Sequence, residues 1–270
     1  MRGCLPSRLD RSRKPRAGTE ILCERVFRPL AHLVVLALLP LRVPPPAVVA
    51  ASGAAGIAGA VALARGHLVA AALLVQLKTV LDNADGQLAR LSGRTSALGR
   101  YLDSEVDLLV DAALFAGLGA FTGQWPAAVA GFLGLTAVLS VNFNAERLYR
   151  AERGGGDATP AADSRPTAFF RRVYELVYAP QDRLVERFAE RRLRGAPPEA
   201  RLGYHDRATV SVLANLGMST QLAVFGVCIA AGRPLAFVWI VLAELGLVVA
   251  LVLRRELLLR GVVHLQEEAL

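Results

Sequence analysis

Long apolar stretches are the sequence feature that most limits what this chain can fold into. They recur at roughly residues 46–64, 67–84, 100–122, 125–145, 207–231 and 235–253. Each holds about 18 to 25 residues, so as a helix it can cross a hydrocarbon layer about 30 Å thick. Hydrophobic residues make up 54% of the sequence and charged residues 20%. The pattern predicts an all-α integral membrane protein with six transmembrane helices.

The cysteines exclude two other classes of protein. Cys4, Cys23 and Cys228 are too few and too scattered for a disulfide-rich secreted scaffold. No two of them stand at the spacing of zinc ligands, so a zinc ribbon is excluded as well.

The basic residues predict which side of the membrane each segment occupies. The net charge is +8, and with six spans both termini lie on one side. The segments on that side hold nearly all the Lys and Arg residues, whereas the opposite side has only Arg65 and Arg233. The positive-inside rule therefore predicts that both termini lie in the cytoplasm, and the plasma membrane is the expected location. Nucleic-acid binding is disfavoured, because no basic stretch is interleaved with stacking aromatic side chains.

The remaining segments flank or interrupt the membrane-spanning part. Residues 1–20 are polar and rich in Arg, which is typical of a flexible basic tail. Residues 21–45 mix apolar and basic side chains and predict an amphipathic helix at the membrane interface, with a signal peptide as the alternative. The membrane domain covers residues 46–253 and includes a cytoplasmic segment at 146–206. A cytoplasmic tail follows at 254–270.

Six carboxylates interrupt the apolar pattern around the end of the second span and the start of the third. They are Asp82, Asp85, Asp103, Glu105, Asp107 and Asp111. An Asp near a bilayer centre costs about 2.5–3.5 kcal/mol on the insertion scale, so acids here indicate a functional site. A structural polar network between helices is the alternative. Asp111 extends the face of Asp107 by one turn and is a candidate partner for Lys78 or an Arg.

Helical spacing brings four of these carboxylates together. Asp82 and Asp85 are three residues apart and share one helix face. Asp103 and Asp107 are four apart and share another. Because the intervening connection returns the chain, both pairs point into one cavity. Four anions about 5 Å apart repel by about 3 kcal/mol per pair at an effective dielectric constant near 20. Protonation or a few Arg residues could relieve part of that repulsion, whereas two divalent cations relieve it directly. All-oxygen ligands favour Mg²⁺ or Mn²⁺.

The residues beside the acids suit phosphate chemistry. Gly86 leaves room for a ligand to approach the backbone. Arg90 supplies a bidentate donor for a phosphate, and Ser96 supplies a hydroxyl. Two metal ions in such a site clamp the attacking and leaving oxygens of a phosphoryl displacement.

The motif D-x-x-D-G-x-x-A-R, followed after eight residues by G-x-x-x-D-x-x-x-D, resembles the signature of the CDP-alcohol phosphatidyltransferase family. All its fixed positions are met, by Asp82, Asp85, Gly86, Ala89, Arg90, Gly99, Asp103 and Asp107. The resemblance implies an enzyme of phospholipid biosynthesis that transfers a phosphatidyl group from a CDP-alcohol, typically CDP-diacylglycerol, to an acceptor alcohol. CMP is the leaving group. The resemblance also implies a homodimer in contact with membrane lipids.

The resemblance further implies a role for each residue of the motif. Asp82 and Asp103 would bridge two Mg²⁺ or Mn²⁺ ions. Asp85 would complete the first ion's ligands and Asp107 the second's, and Asp107 would also act as the catalytic general base. The residues that would contact the CDP group are Gly86, Arg90 and Ser96.

Two other interpretations remain open. The first is an enzyme that uses a soluble CDP-alcohol of the CDP-inositol or CDP-choline type. The second is a divalent-cation transporter, whose acids more naturally lie near the middle of the bilayer on broken helices, often in two repeated halves. Here the acids cluster at one end of their spans and no repeat is visible.

Overall fold

The computed structural model describes residues 17–155 and 179–267, and within these ranges the chain is helical with no strand. A π-helical turn at Cys23–Phe27 comes first. The helices that follow are α1 Arg28–Leu38, α2 Pro45–Ala64, α3 Leu68–Leu91, α4 Ala97–Thr122, α5 Trp125–Ala151, α6 Ala179–Arg192, α7 Pro198–Tyr204, α8 Arg207–Ala214, α9 Met218–Ala230 and α10 Ala236–Glu267. The all-α prediction is confirmed for the described chain. Most of the predicted basic tail, and residues 156–178 of the predicted cytoplasmic segment, lie outside the described residues.

Four stretches of the described chain are long and apolar enough to cross a membrane. They are Pro45–Ala64, Trp125–Ala151, Pro198–Ala230 and Ala236–Leu259. The predicted second and third spans correspond to α3 and α4, which have 24 and 26 residues and carry the acidic cluster. At about 1.5 Å per residue both are long enough to span a bilayer, but their charges set them apart from the other four. The six-span topology therefore stays a prediction.

The predicted fifth span is not one continuous helix. It is interrupted between α8 and α9, where Gly217 precedes the first turn of α9. The Glu20 carboxylate accepts hydrogen bonds from the Thr220 backbone N–H at 2.8 Å and from its hydroxyl at 3.0 Å. Glu20 thus supplies a carboxylate to the N-terminal end of α9, where unpaired N–H groups and the helix dipole favour an anion.

α2 packs against both α3 and α4, and those two helices contact α2 far more than they contact each other. Glycines make the approach of α2 and α4 possible. A Cβ at Gly53 would lie 2.8 Å from Val106 Cγ1, and one at Gly117 would lie 2.5 Å from the Ala60 carbonyl oxygen. Both distances are too short for a real side chain, so the absence of a Cβ fixes how closely α4 sits on α2.

The end of α3 that carries the first half of the motif is held by α1. Ala84 and Leu88 of α3 form a buried apolar cluster with Ala31 and Val35 of α1. This packing extends α3 past the acids to Leu91, so the connection to α4 is only residues 92–96. The short turn makes α3 and α4 antiparallel and brings both pairs of aspartates to the same end.

The main apolar core is formed by residues of α2, α3, α4, α5, α9 and α10. The Phe225 ring of α9 stacks on Phe115 of α4 at a centroid distance of 5.7 Å and on Phe237 of α10 at 4.5 Å. Burying such rings stabilises a bundle by area and by ring stacking. α10 then continues to Glu267, so no helix end marks the predicted boundary at residue 254.

Candidate active site

Three of the predicted metal ligands converge on one point. Asp82 and Asp85 of α3 and Asp103 of α4 each offer one carboxylate oxygen, and these oxygens all lie within 4.8 Å of one another. Asp85 is buried, with 6% of its surface exposed, and the other two are half-buried. Carboxylate oxygens at this separation match the ligand set of a single hard cation.

The Asp85 side chain indicates that a cation belongs at this point. Its Oδ2 atom is buried and has no hydrogen-bond partner in the part of the chain that the structure describes. A buried acceptor left unpaired costs about 1–3 kcal/mol, and more when it is charged. A divalent cation among the three carboxylates would remove that cost, so the residues present fit the metal that the sequence motif implies.

Asp107, the fourth predicted ligand, has a different partner. The Lys78 ammonium donates hydrogen bonds to Oδ1 of Asp107 on α4 and, at 2.8 Å, to Oδ1 of Asp82 on its own helix. Lys78 is 1% exposed, and Asp111, one turn beyond Asp107, is also buried. The sequence pattern indicated Lys78 only as a candidate partner for Asp111. Its position four residues before Asp82 is a signal for the contact with Asp82, whereas no local spacing indicates the contact with Asp107.

Arg90 and Gly86 form a pair within one turn of α3. A Cβ at Gly86 would lie 3.2 Å from Nη1 and 3.4 Å from Nη2 of Arg90. The guanidinium therefore lies over the glycine and occupies the space that the missing side chain leaves. Gly86 thus keeps Arg90 close to the helix turn that carries Asp85, where a planar donor can meet a phosphate.

Ser96 is an exposed residue at the start of α4. Its Oγ accepts a hydrogen bond from the Gly99 backbone N–H at 3.0 Å, so it caps the helix that presents Asp103 and Asp107. The hydroxyl proton is still available as a donor. The structure thus gives Ser96 a structural contact, and the predicted contact with CDP stays a prediction.

Two uncharged residues of the motif region fix the rotation of α3 about its axis. Asn83 Nδ2 donates to Ser219 Oγ of α9 at 3.1 Å, and Gln87 Nε2 donates to the Arg28 carbonyl oxygen at 3.0 Å. These contacts lie on a side of α3 other than the face of Asp82 and Asp85. The sequence alone gave Asn83 no meaning, because its partner lies 136 residues away.

The apolar helices thus carry a group of carboxylates that could hold a metal ion, with Arg90 on the same helix as Asp82 and Asp85. The sequence model of the CDP-alcohol phosphatidyltransferase family matches residues 43–176, a segment that contains the whole motif. The chain therefore belongs to this family through residues 43–176.

Curated relatives with similar sequences carry related names. The chain is 37% identical over 89 residues to a bifunctional IPC transferase and DIPP synthase of Rubrobacter xylanophilus, covering 33% of this chain and 20% of that protein. It is 41% identical over 80 residues to the protein of the same name from Thermococcus kodakarensis, covering 28% and 18%. It is 49% identical over 43 residues to the archaetidylinositol phosphate synthase of Aeropyrum pernix, covering 16% and 22%. The matches therefore span about a fifth of each relative's length.

Proposed function

We propose that this protein transfers a substituted phosphate group from CDP-diacylglycerol to the hydroxyl of an acceptor alcohol and releases CMP. The observation that carries the proposal is the convergence of carboxylate oxygens of Asp82, Asp85 and Asp103 within 4.8 Å, where the buried Oδ2 of Asp85 has no hydrogen-bond partner among the described residues. Such a site suits a diphosphate bound through divalent ions, for which Mg²⁺ or Mn²⁺ is the expected metal.

The proposed centre has two cation positions that share ligands. Asp82, Asp85 and Asp103 would hold the first ion, and Asp107 would complete the second together with Asp82 and Asp103. When bound, the ions supply positive charge that stabilises the diphosphate and the departing CMP. The Arg90 guanidinium adds a bidentate donor for a phosphate oxygen, with Gly86 leaving the space for it.

The reaction forms one bond and breaks one bond at the phosphorus next to the lipid. The acceptor oxygen bonds to that phosphorus, and the bond from the phosphorus to the oxygen of CMP breaks. The hydroxyl proton passes to the Asp107 carboxylate, the proposed general base. Lys78 binds Asp107 through Oδ1, so the other carboxylate oxygen of Asp107 is the one that takes the proton.

The acceptor is proposed from the relatives, since the described residues carry no selective code for it. The Aeropyrum pernix relative is named for an inositol phosphate lipid, so an inositol phosphate is the first acceptor to test. A soluble donor of the CDP-inositol or CDP-choline type is the alternative within the family. We also propose that the protein is a homodimer in the plasma membrane. Both termini and the active site then face the cytoplasm.

The experiment is a CMP-release assay with the purified full chain in detergent. CDP-diacylglycerol is supplied with Mg²⁺ or Mn²⁺ and, in separate reactions, inositol phosphate, glycerol 3-phosphate or serine. We expect CMP release that depends on one acceptor, together with a lipid product that contains it. If CMP is released only from a soluble CDP-alcohol, that compound and not CDP-diacylglycerol is the donor. Metal flux into liposomes without any CMP release would support a transporter instead.

A further inference from the structure

Lys78 is a buried cation inside the group of carboxylates. It lies on α3 one turn before Asp82, and only 1% of its surface is exposed. Its ammonium joins the two helices of the site, because it bonds Asp82 on α3 and Asp107 on α4. A fully buried lysine requires compensation by neighbouring charge, and these two carboxylates supply it.

The carboxylates of the site therefore fall into two unequal groups. The site of Asp82, Asp85 and Asp103 includes a buried oxygen that has no hydrogen-bond partner in the described chain. Asp107 is not one of these three residues, and its Oδ1 accepts a hydrogen bond from the Lys78 ammonium, which also bonds Oδ1 of Asp82. A divalent ion bound to both Asp82 and Asp107 would lie close to the ammonium, because the ammonium bonds the same two side chains. The two positive charges would repel each other, and a low dielectric constant strengthens that repulsion.

Lys78 is held inside the bundle at both its backbone and its side chain. The Ser52 hydroxyl of α2 donates to the Lys78 backbone carbonyl oxygen at 3.3 Å, and both residues are buried. The ammonium itself is held by its hydrogen bonds to Asp82 and Asp107. A second cation must therefore bind in the presence of Lys78.

We infer that Lys78 is a positioning residue that makes the second cation position depend on bound nucleotide. In the free enzyme one divalent ion binds at Asp82, Asp85 and Asp103, while Lys78 neutralises Asp107. The diphosphate of a CDP-alcohol brings two negative charges into the site, and that added charge offsets the repulsion between the ammonium and a second ion. This inference rests on the proposed function, because it takes the metal centre and the nucleotide diphosphate from there.

Ordered binding of this kind has a chemical use. Without substrate, an ion at the second position would be held by protein carboxylates alone. It would bind Asp107, the carboxylate that must take the proton from the acceptor hydroxyl. Lys78 instead keeps Asp107 oriented by one hydrogen bond until the substrate arrives. The second ion is then present only in complexes that also contain the diphosphate to be cleaved.

The test counts Mn²⁺ ions bound per chain and records their electron paramagnetic resonance spectrum. The full chain in detergent is titrated with Mn²⁺, with and without CDP. We expect the wild type to bind one ion with an isolated six-line spectrum, and to bind a second, magnetically coupled ion when CDP is added. Lys78→Met keeps a side chain of similar length without charge. It is expected to bind two ions without CDP, the second at least tenfold more tightly than in the wild type.

Two controls separate the charge of Lys78 from general damage to the bundle. Lys78→Arg retains the positive charge and is expected to need CDP for the second ion. Gln76→Met changes a residue of the same helix that bonds the Leu222 carbonyl oxygen, and it is expected to behave like the wild type. Should Lys78→Met fail to fold, Lys78→Gln, which also removes the charge, takes its place in the same titrations.

Three results would overturn the inference, and they are distinguishable. Two ions bound by the wild type without CDP, with the same affinity as in Lys78→Met, would remove any role for the lysine. A second ion that never binds, even with CDP, would show a single-ion centre. No Mn²⁺ bound at the site under any condition would overturn the metal centre of the proposed function as well.

Discussion

Asp85 on α3 and Asp103 on α4 bring carboxylate oxygens to within 4.8 Å of each other, although each helix packs mainly against α2. Two buried or half-buried anions this close are unfavourable unless a cation lies between them. Their approach follows from the close fit of α4 on the glycines of α2 and from the short turn that joins α3 to α4. The fold therefore brings together carboxylates that could hold a cation.

Asp85→Asn tests this site through metal affinity. The amide has the size of the carboxylate but lacks its charge, so the oxygen that has no partner no longer attracts a cation. We expect Mn²⁺ to bind about tenfold or more weakly, equal to about 1.4 kcal/mol. Calorimetric titration of the detergent-solubilised chain measures the change. Affinity equal to that of the wild type would show that Asp85 is not a ligand.

Asp107→Asn tests the proposed general base. The amide cannot take the proton of the acceptor hydroxyl, so CMP release is expected to fall by about 10²–10⁴-fold. The matched control is Asp111→Asn, which removes a buried carboxylate from the next turn of the same face and should keep most of the activity. Thermal unfolding of both variants checks the bundle, because Asp107→Asn leaves Lys78 with one carboxylate partner fewer. Turnover of Asp107→Asn within tenfold of the wild type would contradict its role.

Gly86→Ala and Arg90→Lys test the pairing of these two residues. A Cβ at position 86 would press on the guanidinium at 3.2 Å, so Arg90 must shift by a few tenths of an ångström. Lysine at position 90 loses the bidentate geometry. We expect KM for CDP-diacylglycerol to rise about tenfold in Arg90→Lys, about 1.4 kcal/mol, and by less in Gly86→Ala. Mn²⁺ affinity should stay constant in both, and an unchanged KM would exclude Arg90 from donor binding.

Ser96 allows helix capping and substrate contact to be separated. Ser96→Ala removes the cap of α4 and should lower the free energy of unfolding by about 1 kcal/mol. Ser96→Asp keeps a capping oxygen but places a negative charge where a phosphate contact was predicted. If Ser96 only caps the helix, Ser96→Asp retains both stability and KM. A raised KM with retained stability supports the predicted contact with the CDP group.

The sequence was sufficient for the helical class and for the grouping of Asp82, Asp85 and Asp103, while their role as metal ligands stays a prediction. Hydrophobic runs and the spacing of aspartates are local signals, and local signals translate directly into helix faces. The break between α8 and α9 could not be predicted from the sequence. The side chain that caps α9 is Glu20, which lies 200 residues from its partner Thr220. The hydrogen bond of Lys78 to Asp107 was missed for a similar reason, since that contact crosses between helices and depends on how both are rotated.

Removal of divalent ions tests most directly whether transfer of the phosphate group depends on a metal ion bound by the aspartates. The initial rate of CMP release from CDP-diacylglycerol is measured with the preferred acceptor, after chelation and then with increasing Mg²⁺ or Mn²⁺. We expect chelation to abolish CMP release and either ion to restore it. Asp85→Asn is expected to need at least about tenfold more metal for the same rate. Undiminished CMP release in the absence of divalent ions would contradict this dependence.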